Sequence, residues 1–294
     1  MQASFHRTIA PSARQDGDAI ILVLRFALAS FVRDNHCNMP SASTHTIRHR
    51  DQGSADPPTV LVLGGSGVIG SAVCLRFAQN GWNVGVHYHA RHDSADDIVR
   101  KIENPGQKSR SFQADVSDGR QIRTLFNQVQ TVWPELDAMV WAAGTTTNRL
   151  TVRITPAEWE RMLHVNLTGL FLCLQQGLRL FSEQRGGAVT VVNSLSSTIG
   201  GTGQAAYAAC KAGALGLVKS AAKELGKANI RVNAVFPGWH QSPLAGDAFP
   251  HPDQLQAHVL GRTPSLDEVA DLIYRLTAAR DLSGQVYNLD NRIR

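Results

Sequence analysis

Residues Thr59–Asn80 read TVLVLGGSGVIGSAVCLRFAQN. An aliphatic run too short for a helix, Thr59–Leu63, passes directly into Gly64-Gly65-Ser66-Gly67-Val68-Ile69-Gly70 and then into a helix-forming stretch. No polar residue alternates within Val60–Leu63, which marks a strand buried on both faces. Glycines at this spacing let the chain turn tightly and bring backbone N–H groups close to a ligand. The helix that follows offers free N–H groups and the positive end of its dipole, a combination suited to a pyrophosphate. A glycine turn alone says little, but one that opens the helix after the first strand of an alternating β/α chain says much.

The alternation continues outward from this unit. Short runs rich in β-branched residues recur at Asn83–His87, Arg110–Ala114, Asp137–Ala142, Ala188–Asn193, Arg231–Phe236 and Gln285–Leu289. Helical stretches lie between them, among them Asp118–Trp133, Pro156–Phe181 and Gln204–Gly226. Helix-length connections between buried strands imply right-handed parallel crossovers. The expected fold is α/β: a single-domain, Rossmann-type doubly wound parallel sheet of about seven strands over residues 59–294. Residues 1–58 read as a disordered N-terminal extension. Their apolar stretch Ala19–Val32 is broken by Arg25, and Met39–Pro58 is rich in Ser, Thr, His, Asp and Pro without periodicity. Met39 is as good a candidate for the true start as any targeting role for the segment.

The 294 residues are 43% hydrophobic and 18% charged, too apolar for a disordered chain. No apolar window reaches the roughly 18 residues of a membrane span. A net charge of +5 permits an anionic ligand, but nothing else suggests nucleic acid. Cys37, Cys74, Cys173 and Cys210 are widely separated, so neither a disulfide scaffold nor a metal cluster is expected, and a reducing, cytoplasmic setting fits.

The second strand ends His87-Tyr88-His89-Ala90-Arg91-His92, without an acid before Asp93. A carboxylate there would accept from the ribose 2′-OH of NAD, whereas Arg91 can pair with a 2′-phosphate; NADP(H) is therefore favoured over NAD(H). Tyr207 and Lys211, in YAACK, are four apart and share one face of a helix. An ammonium beside a phenol favours the phenolate, so Lys211 is expected to lower the pKa of Tyr207. Ser194 follows the fifth strand, at the sheet end where such folds place their ligand crevice, and Asn166 falls inside the long preceding helix.

The order glycine turn, Asn166, Ser194, Tyr207-x-x-x-Lys211 and Pro237-Gly238 resembles the short-chain dehydrogenase/reductase family over about Pro58–Leu289. The resemblance is strongest to 3-oxoacyl-carrier-protein-reductase-like members through GQAAYAACKAGALGLVKSAAKELGKANIRVNAVFPG. It implies that Tyr207 exchanges the proton, Ser194 holds the substrate oxygen, Lys211 binds the nicotinamide ribose and Asn166 holds a water behind Lys211. It further implies cofactor contacts from Gly64, Ser66, Gly67, Ile69, Gly70, Arg91, Asp115, Val116, Ala143, Gly144, Pro237, Gly238 and Ser242, together with Tyr207 and Lys211. A homotetramer or homodimer is also implied.

Three departures stand out. Leu63 and Val68 replace a usual Thr and Gly of the turn. Trp141-Ala142-Ala143-Gly144 lacks the amide side chains that brace the fourth strand. Asp290-Asn291-Arg292 replaces Asp-Gly-Gly in the tail. Trp239–Arg262 occupies the place of a substrate lid, with an apolar share that suits a neutral or thioester-linked ketone. The expected activity is NADPH-dependent reduction of a 3-oxoacyl thioester or polyketide-like ketone. Its alternatives are a dehydrogenase of a small, cyclic or steroid-like secondary alcohol, and a catalytically silent nucleotide-binding subunit.

Overall fold

The computed structural model describes residues 56–102, 107–183, 185–256 and 258–292. Residues 1–55, which carry most of the expected extension and Met39, lie outside the described residues. Seven strands, β1 (Thr59–Leu63), β2 (Asn83–Tyr88), β3 (Ser109–Gln113), β4 (Ala138–Trp141), β5 (Gly187–Val192), β6 (Ile230–Phe236) and β7 (Val286–Asn288), form one sheet in the order β3-β2-β1-β4-β5-β6-β7. Every neighbouring pair is parallel. The order reverses between β1 and β4, and this switch point opens a crevice at the carboxyl ends of the strands.

Side-chain alternation divides β1 between two cores. Leu61 and Leu63 face one side, with α3 (Gly119–Val132), the segment around Leu170–Leu174 and a long helix later in the chain. Val60 and Val62 face the other, with α1 (Val68–Gln79), α2 (His92–Ile102) and a C-terminal helix. Both faces of the sheet are therefore covered by helices, which is why the central strands β1, β4 and β5 are buried throughout and read as largely apolar runs, while the edge strand β3 does not.

The stretch Pro156–Phe181 is not the single helix expected. Helix α4 (Pro156–Leu163) starts on a Thr155/Glu158 capping box, widens into a π turn at His164–Thr168, and resumes as α5 (Gly169–Gly177) before a 3₁₀ turn at Leu178–Leu180. Asn166 lies in the π turn, and its amide reaches across to another loop rather than outward, a common functional use of such insertions. The long helix α6 (Ala205–Leu225) carries Tyr207 and Lys211, and α7 (Leu266–Ala278) completes the second face.

Candidate active site

The turn after β1 is shaped by one peptide. Gly64 has φ +82°, and a Cβ there would lie 2.6 Å from the Ala143 nitrogen, so only glycine fits between the β1 and β4 ends. Its carbonyl accepts from Gly67 N–H at 3.0 Å, which closes the turn. A Cβ on Gly70 would stand 2.1 Å from that same oxygen, so α1 begins hard against the turn. Gly67 occupies the cap position of α1 with no side-chain hydrogen bond, and the first turn carries no acid. In contrast, α3 and α4 are capped by the side chains of Asp118 and Thr155. The N–H groups and dipole of α1 are thus left for an external anion.

The catalytic candidates converge from β5, α6 and the π turn. Ser194, two residues past the end of β5, lines the same cleft as Tyr207, and its hydroxyl draws the phenol's pKa down. Asn193 orients this corner: its carbonyl oxygen accepts from Ser194 N–H at 2.7 Å, and its amide donates to the Lys211 carbonyl at 3.0 Å. Lys211 is buried, its ammonium 5.6 Å from the Tyr207 ring centroid and donating to the Val192 carbonyl at 2.9 Å. Asn166 accepts from Thr145 N–H at 3.0 Å and donates to the Thr145 and Met162 carbonyls at 2.9 and 3.1 Å. It therefore supplies, from the π turn, a brace for the loop after β4, whose Trp141-Ala142-Ala143-Gly144 sequence has no amide side chain of its own.

The expected effect of Lys211 on Tyr207 is not what the structure shows. Burial pushes the phenol up to about 12, and the nearby Ser194 hydroxyl draws it back only in part. Burial likewise brings Lys211 down to about 8. Desolvation is the largest influence on both groups.

One cleft of about 640 Å³ receives every predicted site residue except Asn166, which lies buried behind it. Arg91 and His89 are exposed at one end, where His89 stands 3.6 Å from Asp115; Pro237, Gly238 and Ser242 line the other. The uncapped helix start, the glycine turn and the buried ammonium together fit a dinucleotide. Sequence reasoning passed over His87, which binds the turn, as well as Asn193, and gave no site role to Arg292, whose guanidinium lies over the Trp239 ring. A polar residue inside the apolar strand NVGVHY was the available signal for the first.

These features define a nucleotide-dependent oxidoreductase on a doubly wound sheet. The family model for short chain dehydrogenase matches residues 58–253. The 3-oxoacyl-(acyl-carrier-protein) reductase FabG of Staphylococcus aureus is 36% identical over 206 residues, covering 70% of this chain and 82% of the relative. The 3-oxoacyl-(acyl-carrier-protein) reductase of Synechocystis sp. is 34% identical over 233 residues, covering 78% and 94%. Among solved structures, a short-chain dehydrogenase/reductase from Serratia marcescens matches with a TM-score of 0.75 and 29% identity, over 81% of this chain and 98% of the other. The chain belongs to the short-chain dehydrogenase family, as an NAD(P)-dependent oxidoreductase of the 3-oxoacyl-carrier-protein-reductase-like kind.

Proposed function

We propose that the protein is an NADPH-dependent ketone reductase whose substrate is a 3-oxoacyl thioester, linked to acyl carrier protein or coenzyme A, or a polyketide-like ketone. The observation that carries this reading is the gathering of Tyr207, Ser194 and Lys211, the lysine buried one helical turn from the tyrosine, in the same cleft as the uncapped start of α1. When bound, the nicotinamide supplies the hydride for the carbonyl carbon. Tyr207 Oη gives its proton to the carbonyl oxygen, and Ser194 Oγ holds that oxygen by a hydrogen bond. Lys211 binds the ribose hydroxyls, and Asn166 holds a water on the route by which Tyr207 regains its proton.

Cofactor binding divides among the loops. Gly64, Ser66, Gly67, Ile69 and Gly70 take the pyrophosphate, and Asp115 and Val116 the adenine. Ala143 and Gly144 pass under the nicotinamide ribose, while Pro237, Gly238 and Ser242 fix the carboxamide. Arg91 meets the 2′-phosphate, and its exposed place in the cleft, with no acid between His87 and His92, supports NADPH over NADH.

One observation favours a second substrate. The Trp239 ring, with Arg292 stacked over it, gives the cleft a flat wall suited to a small cyclic ketone or alcohol. The carrier-protein version draws on Arg149 and Arg153, although Arg149 already pairs with Glu158 at 2.8 Å. A homodimer or homotetramer belongs to the same reading, supported by the exposed Leu150, Val152, Trp159 and Phe171. So does a reducing cytoplasmic setting, supported by the buried free thiols of Cys74, Cys173 and Cys210. Among the described residues, no helix is long and apolar enough to cross a membrane.

Following NADPH oxidation against 3-oxoacyl thioesters, quinones and cyclic ketones tests the substrate class. Tyr207→Phe tests the chemistry: turnover should fall about 10²–10⁴-fold, the usual worth of a general acid, while cofactor still binds. Persistent turnover in that variant would overturn the mechanism.

A further inference from the structure

His87, the penultimate residue of β2, is 2% exposed, and two loops bind its ring. Gly64 N–H donates to Nδ1 at 2.9 Å, and Nε2 lies 3.1 Å from the Ala114 carbonyl. An amide N–H can only donate and a carbonyl oxygen can only accept. The ring must therefore be neutral, with its proton on Nε2. Burial holds its pKa down at about 4, the Ala114 hydrogen bond opposing it only in part, so the ring stays neutral at neutral pH.

The two tethered peptides sit at decisive points. Gly64 is the turn residue whose oxygen seats Gly67 and Gly70 and whose Cα abuts Ala143, so a shift of Gly64 carries the start of α1 with it. Ala114 immediately precedes Asp115, which lines the cleft with Val116 and Arg91.

We propose that His87 is a positioning residue for the cofactor: one neutral imidazole fixes the spacing between the glycine turn and the loop after β3, and so keeps the pyrophosphate cradle in register with the adenosine end of the cleft. The proposal rests on the dinucleotide reading of that cleft. The pyrophosphate is common to both cofactors, so loss of the tether weakens NADPH and NADH equally, whereas loss of Arg91 weakens NADPH alone.

The test is direct titration of both cofactors by protein fluorescence, with thermal melts, on His87→Leu, His87→Asn and Arg91→Ala. His87→Leu fills a similar volume without hydrogen bonds, and His87→Asn keeps one donor and one acceptor on a shorter side chain. In His87→Leu we expect Kd to rise about tenfold for each cofactor, the loss of one or two hydrogen bonds, with the ratio of the two Kd values unchanged. Exchange of the Gly64 amide should accelerate in parallel, and His87→Asn should recover at least part of both effects. If His87→Leu does not fold, the same comparison on His87→Gln decides. A lower Tm with unchanged Kd in the folded variant overturns the proposal, since a merely structural histidine behaves so. A change confined to NADPH overturns it equally. Wild-type protein that binds neither cofactor overturns the dinucleotide reading itself, a result distinguishable from both.

Discussion

Burial moves Tyr207 and Lys211 in opposite directions, the phenol to about 12 and the ammonium to about 8, because both lose water and their other influences are a hydroxyl and a thiol. A phenol that high keeps its proton throughout the neutral range, which suits a donor to a ketone oxygen. Lys211 instead changes charge close to working pH: it is cationic below about 8 and neutral above. The sign follows directly, since raising the pH removes positive charge from the proton-donating corner. We expect kcat/KM for ketone reduction to fall above about pH 8, and the falling limb to move to higher pH in Lys211→Arg, whose guanidinium stays charged. A wild-type profile flat to pH 10 would show that the charge of Lys211 does not govern the step. The four-residue spacing told which two side chains meet, because helical geometry is local. It could not tell the sign of the shift, because that depends on how completely α6 is covered by β5 and its neighbours. His87 escaped notice for the same reason: its partners are 23 and 27 residues away and belong to other loops.

Among the elements, helix starts separate structure from function. Thr155 with Glu158 closes α4 upon itself, and Asp118 accepts from Arg120 N–H at 2.8 Å to do the same for α3. Gly67 leaves α1 open. Gly67→Asp would supply the missing cap, adding about 0.3–1 kcal/mol to the helix, but would also set a carboxylate at the proposed pyrophosphate site. We expect the Kd of both cofactors to rise at least tenfold without a matching fall in Tm. A Cβ at this position would be 3.2 Å from the Gly64 oxygen, so Gly67→Ala serves as the steric control and should cost much less affinity. Equal losses in the two variants would mean that crowding, not charge, is responsible. The strands and the glycine turn were legible because apolar runs and glycine spacing are local codes. The π turn was not, because its cause is a long-range one: Asn166 is drawn to Thr145, 21 residues earlier, and no period in the HVNLT sequence records that pull.

At the scale of the whole molecule, the chain's tail reaches the end of the cleft lined by Pro237, Gly238 and Ser242, where Asp290 and Arg292 add to its wall. Past β7, Asn291 accepts from Val259 N–H at 2.8 Å through its backbone, pairs with His258 at 2.7 Å through its side chain, and donates to the Arg262 carbonyl at 2.9 Å. Arg292 pairs with Asp290, its Nε 2.7 Å from Oδ1, and lays its guanidinium 5.6 Å from the centroid of Trp239. The sequence marked Asp290-Asn291-Arg292 as a departure; in the structure these residues hold the segment His258–Arg262 and set a cation over Trp239. The Asp290 side chain is 2% exposed, so it depends on Arg292 for neutralisation. Arg292→Met should therefore leave a buried carboxylate unpaired and cost about 3–5 kcal/mol in urea unfolding. Adding Asp290→Asn should return most of that stability, because the uncompensated charge is gone. Neither variant restores the cation over Trp239, so both should raise the ketone KM while cofactor Kd stays unchanged. If the double variant proves as unstable as the single one, charge compensation is not the role of Arg292. If instead the ketone KM recovers along with stability, Trp239 needs no clamp and the tail acts on folding alone.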